Sequence, residues 1–419
     1  MSDDTPLKMD CSASTTATIE QSGPANLLAE RPSSSSSKKI VLTVLGTRPE
    51  AIKLGPVIHE LELRKDCIRT VNVASGQQTD LIYPVLKLFG IRVDENLQVM
   101  RSGQNPSVVC GRILLALDSI VDREKPDMIL VQGDTTTALA GALAGFNHRI
   151  PVGHVEAGLR SGDFLSPYPE EMNRVLITRL ASYHFAATSR NRDLLLSEGV
   201  AAERVFLTGN PVVDALQRIL AGAKNGSKIN RLLQNIQGKK LVVVTTHRRE
   251  SFGGTMAENL KTLCRFVDDH TDIVLIFPVH PNPNVRIPAR EICNGHARVI
   301  LTDPLNYSDF ILLVSHAWLI VSDSGGIQEE APSLGKPMLV LRKNTERPEC
   351  IEAGVSRLAG SSPAALANML EDAYRPGSWI ESVDKVQNPF GAGDSARLIV
   401  QNIARIFGVE KPYAMAVGM

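Results

Sequence analysis

The sequence predicts an α/β protein of two Rossmann-like domains facing a central cleft. Short β-rich runs alternate with helical stretches from Ile40 onward. Several of these runs are apolar throughout, as parallel strands buried on both faces are. The alternation also comes in two series separated by a polar stretch. A chain of 419 residues exceeds one ordinary core, which fits two domains.

Residues 1–37 are rich in Ser, Thr and Pro, ending in "RPSSSSS". Such a composition cannot bury enough apolar surface to offset ordering entropy, so a disordered tail without catalytic parts is expected. The first domain, 38–209, carries the strands "IVLTVL", "TVNVAS", "DMILVQ", "PVGHVE", "YHFAAT" and "RVFLTG". Helices are expected between them at "SVVCGRILLALDSIVDRE" and "TTTALAGALAGF". Residues 210–239, including most of "GAKNGSKINRLLQNIQGKK", read as a linker region. The second domain, 240–380, contributes "LVVVTT", "DIVLIFPV", "RVILTD", "AWLIVSD" and "PMLVLR". Residues 381–419 hold an amphipathic helix, "GDSARLIVQNIARIFG", with no strand after it, so it is expected to cross back onto the first domain.

Bulk properties exclude several classes. Lys+Arg and Asp+Glu are balanced at 45 each, so neither a nucleic-acid stripe nor a charged tail is indicated. The six cysteines are scattered without CxxC or zinc spacing, which reads as reduced packing thiols in a cytoplasmic protein. The apolar run "FILLVSHAWLIV" is short of a membrane span, and the N-terminus lacks a signal peptide's layout. "GAGDSA" at Gly391–Ala396 matches a dinucleotide fingerprint in letters, but it follows "QNPF" and leaves too little chain for a βαβ unit.

Candidate chemistry lies at strand ends. "GTRPE" puts Arg48 and Lys53 at the first strand-to-helix turn, without the pattern of a P-loop or a dinucleotide fold. Cations there suit an anionic ligand. In "SDSGGIQEEAPSLGKP", Ser324, Gly325 and Gly326 let the backbone approach a ligand at a helix start, where a diphosphate fits. Glu330, just beyond, suits a pair of ribose hydroxyls, while an ordinary glycine turn with acids favoured by the helix dipole is the plainer reading. His247, Arg248 and Arg249 follow the strand "VVVTT", His280 ends another strand, and Arg342 and Arg347 follow a third. Asp134 lies between a strand and a helix, a position that a helix N-cap also explains. Glu156 ends a strand in "GHVEAGLR". Glu170 and Arg174 in "PEEMNR" stand four apart on one helix face, so a surface ion pair is the plainer reading. Acids at strand ends beside cations suit general acid/base work in one cleft.

Taken together, "GTRPEAIK", "GDTTT", "GHVEAGLR", "PEEMNR", "THRRESFG", "SDSGGIQEEAPSLGKP" and "TERPE" resemble, in order, the non-hydrolysing UDP-N-acetylglucosamine 2-epimerases. The resemblance runs from Lys39 to the C-terminus. It implies the GT-B arrangement, with the second domain binding UDP, and a homodimer acting on UDP-N-acetylglucosamine and UDP-N-acetylmannosamine to supply cell-surface polysaccharide precursors. It implies catalytic roles for Asp134, Glu156, Glu170 and His247. Substrate contacts are implied for Arg48, Lys53, Asp134, Glu156, Arg174, His247, Leu305, Phe310, Ser324, Gly325, Gly326, Glu330 and Arg347. "SGQQTDLI" resembles part of a second, activating substrate site, departing from it at Gln78 and Thr79.

The proton at C2 of an N-acetylglucosaminyl group is not adjacent to a ketone, and no NAD fingerprint supplies an oxidation. Elimination of UDP to 2-acetamidoglucal and re-addition is the remaining route, and it calls for no metal or cofactor. Alternatives are a hydrolysing 2-epimerase, a 2-epimerase of a related UDP-diacetamido uronate, a GT-B glycosyltransferase, and a non-catalytic UDP-sugar-binding regulator.

Overall fold

Strand β1 (Lys39–Leu45) pairs on one side with β2 (Ile68–Ala74) and on the other with β4 (Met128–Gln132), all in parallel. That branching is the organising feature of the first lobe. Its seven-stranded sheet runs β3-β2-β1-β4-β5-β6-β7, with β3 at Glu95–Asn96, β5 at Val152–Ala157, β6 at Tyr183–Ala186 and β7 at Val205–Leu207. The second lobe repeats the pattern in six strands, β10-β9-β8-β11-β12-β13. These are β8 (Lys240–Thr245), β9 (Ile273–Pro278), β10 (Val299–Thr302), β11 (Leu319–Ser322), β12 (Met338–Val340) and β13 (Ser356–Leu358). The strand order reverses at β1/β4 and again at β8/β11. Ligands of open α/β sheets bind in the crevice outside such reversal points, so each lobe offers one crevice.

The computed structural model describes residues 38–77, 79–101, 103–222, 228–246, 253–360 and 362–409. The expected tail at 1–37, Gln78 and the segment carrying His247, Arg248 and Arg249 lie outside them. No described helix is long and apolar enough to cross a membrane.

Strand interiors such as Val41, Leu42, Val44 and Leu45 are fully buried, as the unbroken apolar runs require. Two short strands, β3 and β13, join the edges without being expected from the sequence. At two and three residues they carry no readable period.

The stretch expected to be a linker is largely helical. Helices Pro211–Gly222 and Lys228–Asn235 occupy it. Ile229, Leu232, Leu233 and Ile236 follow the i, i+3, i+4, i+7 pattern and pack into the second lobe's core. Flanking Lys, Asn and Gln residues disguised the stripe.

The final helix, Ser395–Ile406, packs against the first lobe as expected, its Ile399, Val400 and Ile403 joining the core around the Arg48–Glu62 and Pro211–Gly222 helices. The Asp214 carboxylate accepts the amides of Ser395 (3.2 Å) and Ala396 (2.9 Å), capping this helix from a distant part of the chain. "GAGDSA" forms the turn leading into it, with no strand before it. The stretch before the final helix lies beside the residues that open the Pro211–Gly222 helix. The Asn210 amide donates to the Phe390 carbonyl at 2.8 Å, and Ser395 Oγ donates to the Gly209 carbonyl at 2.9 Å.

Candidate active site

The end of β5 is irregular at one residue. Its register against β6 shifts between Val155 and Ala157, and the residue between them, Glu156, has φ +66°. A glutamate in the left-handed region costs about 1–3 kcal/mol and persists where surrounding contacts hold it. The contacts are present: Gln132 of β4 donates to Oε2, while Lys53 and Asn210 donate to Oε1, the latter at 3.0 Å. The bulge therefore carries the side chain from the sheet into the cleft, where three donors fix it.

Lys53 comes from the Arg48–Glu62 helix. The turn before it is tight: a Cβ on Gly46 would stand 2.2 Å from Ser75 Oγ and 2.3 Å from Thr137 Oγ1, so glycine is obligatory. Glu50 closes the turn, accepting the amides of Gly46 (3.0 Å) and Thr47 (2.7 Å) and the Thr135 hydroxyl (2.7 Å). One turn onward, Lys53 points inward. It contacts Glu156 and lies 2.9 Å from Glu329 of the second lobe, at 6% exposure. The sequence placed Lys53 at the mouth of the turn facing an anion; in the structure two carboxylates enclose its ammonium. Arg48 stays nearer the surface, its guanidinium 5.6 Å from the Tyr307 ring centroid.

From the second lobe, β11 leads through Asp323 and Ser324 into the short helix Gly325–Glu330. Glu329 and Glu330 end this helix instead of opening it. Glu329 is wholly buried and accepts from Arg347 Nε at 2.6 Å. Arg347 also reaches Glu346 at 3.5 Å, and Glu346 holds Arg342 at 2.6 Å. Glu330 accepts the Tyr307 hydroxyl at 2.6 Å, which fixes the plane of the carboxyl expected to meet ribose hydroxyls. Leu305, just before the Tyr307–Ser315 helix, and Phe310, within it, pack on the apolar cluster of the second lobe.

Asp134 does not cap the helix after it. Thr135 does, accepting the Ala138 amide at 3.0 Å, because its hydroxyl stands one position nearer the helix. Asp134 is thereby available to Arg174, whose Nη2 lies 2.7 Å from Oδ2. The described partners of Arg174 are Asp134, Glu171 (2.6 Å) and, across the cleft, Glu346 (3.7 Å). Its partner on its own helix is thus Glu171, three residues away, instead of the expected Glu170. Glu171 also binds the amides of Ser161 and Gly162, so it faces inward. Glu170 is the first residue of that helix.

A continuous chain of charges results, Glu156–Lys53–Glu329–Arg347–Glu346–Arg174–Asp134, crossing between lobes at Lys53–Glu329 and at Glu346–Arg174. With Glu171 and Arg342 it joins five carboxylates to four cations. Burial raises Glu156 above the usual carboxylate range, opposed by Lys53 and reinforced by Glu329. Burial would raise Glu329 too, but Arg347 and Lys53 hold it below. Glu346 is likewise held far down by Arg347 and Arg342 against its burial. Burial lifts Glu330 to about 7 even with the Tyr307 hydrogen bond. Two enclosed carboxylates pushed in opposite directions are the usual mark of acid/base assignments.

The structure brings Lys53, Asp134, Glu156, Arg174, Arg347 and the Ser324 turn into one cleft. His280 is elsewhere employed: its Nδ1 accepts the Asn282 amide at 3.2 Å in an exposed turn. His247 lies outside the described residues. Glu329, Glu346, Gln132 and Asn210 escaped the sequence reading. For Glu329 and Glu346 a signal existed, an acid beside each singled-out residue of "QEE" and "TERPE"; Gln132 and Asn210 offered none.

Two doubly wound lobes with a charged interlobe cleft define a GT-B-type protein. A glycosyltransferase of kitacinnamycin, 14% identical at a TM-score of 0.55, shares that fold. Residues 60–404 match the family described as UDP-N-acetylglucosamine 2-epimerase. The UDP-N-acetylglucosamine 2-epimerase of Escherichia coli (strain K12) is 46% identical over 86% of this chain and 97% of its own length. That of Bacillus subtilis (strain 168) is 39% identical over 88% and 96%. The crystal structure of UDP-GlcNAc 2-epimerase from Neisseria meningitidis bound to UDP-GlcNAc superposes with a TM-score of 0.84 at 39% identity, covering 87% of this chain and all of that one. The Methanocaldococcus jannaschii enzyme in complex with UDP-GlcNAc and UDP gives 0.75 at 32% identity, over 88% and 99%. The chain belongs to the UDP-N-acetylglucosamine 2-epimerase family.

Proposed function

We propose that this protein reversibly interconverts UDP-N-acetylglucosamine and UDP-N-acetylmannosamine without hydrolysis. The observation that carries the reading is the alternating chain of buried acids and cations across the cleft. It sets Asp134 and Glu156 on the first lobe and Arg347 beside the Ser324–Gly325 turn on the second. Relatives that act on or bind UDP-GlcNAc support the substrate class.

In the elimination, a carboxylate takes the C2 proton and the C2–H electron pair becomes the C1=C2 double bond. The C1–O pair leaves with the diphosphate, whose growing charge the cations stabilise. On return, a diphosphate oxygen attacks C1 of 2-acetamidoglucal while a carboxylic acid protonates C2 from the opposite face. Asp134, Glu156 and Glu170 are the acids proposed for these two roles, with Arg347 and Arg48 as the cations proposed for the leaving group. A water-poor cleft retains the glycal until UDP re-adds.

Proton NMR of the protein with UDP-N-acetylglucosamine in deuterium oxide tests the reading. Both UDP-sugars should be present, each carrying deuterium at C2. Free N-acetylmannosamine formed in step with UDP, and no UDP-N-acetylmannosamine, would assign the hydrolysing reaction instead.

A further inference from the structure

The ammonium of Lys53 is divided between two carboxylates, and the division ties one end of the site to the other. Nζ contacts Oε1 of Glu156 and lies 2.9 Å from Oε2 of Glu329. Glu329 gives its other oxygen to Arg347, and Arg347 lies against Gly325 at the turn where a diphosphate is expected. Building on the epimerase reading, we propose that Glu329 is a positioning residue, coupling occupancy of the diphosphate site to a proton held at Glu156.

The reasoning is electrostatic. An anion at Arg347 competes with Glu329 for the guanidinium. Glu329 then draws more strongly on Lys53, and Glu156 keeps a smaller share of that charge. A carboxylate that loses a cation binds its proton more tightly. Among the described residues the network holds five carboxylates against four cations, and an incoming dianion adds to the drive for proton uptake. Glu156 is the member on which burial and Glu329 both favour the protonated form, while Glu329 itself is held ionised by Arg347 and Lys53.

The groups facing Glu156 are consistent with this. Lys53 comes from the Arg48–Glu62 helix, Gln132 from β4, Asn210 from the turn before the Pro211–Gly222 helix, and Glu329 and Arg347 from across the cleft. His154, on its own strand, is lowered to about 4 by burial and is neutral near pH 7. Among the described residues, Glu329 faces Arg347 and Lys53 as cations, with Tyr307, Glu330 and Cys350 beside them. Lys53 is the described cation in direct contact with both carboxylates, so its sharing links them.

Epimerisation requires one carboxyl to enter ionised and another protonated, because the proton leaves C2 on one face and returns on the other. Glu156 is then the acid of the re-addition. Its O–H proton passes to C2, the double-bond pair forms the C2–H bond, and the diphosphate oxygen bonds to C1.

Replacing Glu329 by Gln gives Lys53 wholly to Glu156, which makes Glu156 a stronger acid. The basic limb of the kcat pH profile in Glu329→Gln should move down by about one pH unit. Glu346→Gln removes an anion that competes with Glu329 for Arg347 and does not touch Lys53, so the same relay should move its limb in the same direction but by less. A limb unmoved in an active Glu329→Gln variant, or moved equally in both, overturns the proposal. Titration calorimetry of UDP in two buffers of different ionisation enthalpy covers the case of an inactive variant. The wild-type protein should take up more protons on binding UDP than Glu156→Gln does, and equal uptake overturns the coupling. Absence of UDP-N-acetylmannosamine from wild-type reactions counts against the epimerase reading alone, since the calorimetric result does not depend on turnover.

Discussion

Arg347 and Gly325 occupy each other's space: Nη1 of the arginine lies 2.5 Å from the point where a Cβ on Gly325 would stand. The guanidinium is held there by Glu329 and Glu346, both almost wholly buried, so it has no room to retreat. Gly325→Ala should therefore expel Arg347 from its pocket. The expected cost is about 1–3 kcal/mol of stability from overpacking, together with weaker UDP binding. Thermal unfolding and UDP calorimetry check both. An unchanged UDP affinity would separate Arg347 from the diphosphate.

Asp134→Asn, Glu156→Gln and Glu170→Gln should each lower turnover by about 10²- to 10⁴-fold, the range for loss of a general acid or base. UDP affinity should fall far less, since an ionised carboxylate repels a diphosphate instead of binding it. Steady-state kinetics beside UDP binding reads out the two effects. Wild-type rates in all three variants would remove these acids from the mechanism.

Glu50 gives a pH dependence of stability whose sign is fixed by its environment. Burial lifts its carboxyl from 4.5 to about 7, despite the hydrogen bonds from Thr135, Thr47 and the Gly46 amide. A carboxyl raised in the folded state stabilises fully below its unfolded pKa, and that contribution is lost as pH rises through the folded value. Between about pH 4.5 and 7 the loss is about 3 kcal/mol. Glu50→Gln should flatten this part of the profile, measured as denaturant unfolding at pH 5 and pH 8. An identical pH dependence in the variant would show that Glu50 is ionised throughout.

Expression from Lys38 should preserve both the thermal midpoint and the specific activity. Strand β1 begins at Lys39 and is paired along its length with β2, so every described strand of the first lobe lies at or after that residue. A large loss of either property would assign residues 1–37 a part in the folded enzyme.

Local chemistry made the strand ends readable. Apolar runs broken by Gly46, Gly133 and Gly325 locate β1, β4 and β11 to within a residue or two, because strands buried on both faces leave a continuous signal. Pairings over long separations were not readable. Lys53 and Glu156 are 103 residues apart, and nothing local indicates that a bulge at Glu156 turns its side chain toward Lys53. The choice between Asp134 and Thr135 as cap, or between Glu170 and Glu171 as partner of Arg174, depends on one position of rotation about a helix axis. Both members of each pair have suitable chemistry, and tertiary contacts made the choice.

Asn210 fastens two distant parts of the chain at once. Its backbone amide holds the stretch before the final helix at Phe390, while its side chain holds the Glu156 carboxylate at 3.0 Å. The returning end of the chain and a carboxylate of the cleft therefore share one anchor. Any shift in how the final helix seats on the first lobe would be passed to the support of Glu156, so the C-terminal segment bears on the pose of a side chain 234 positions before Phe390.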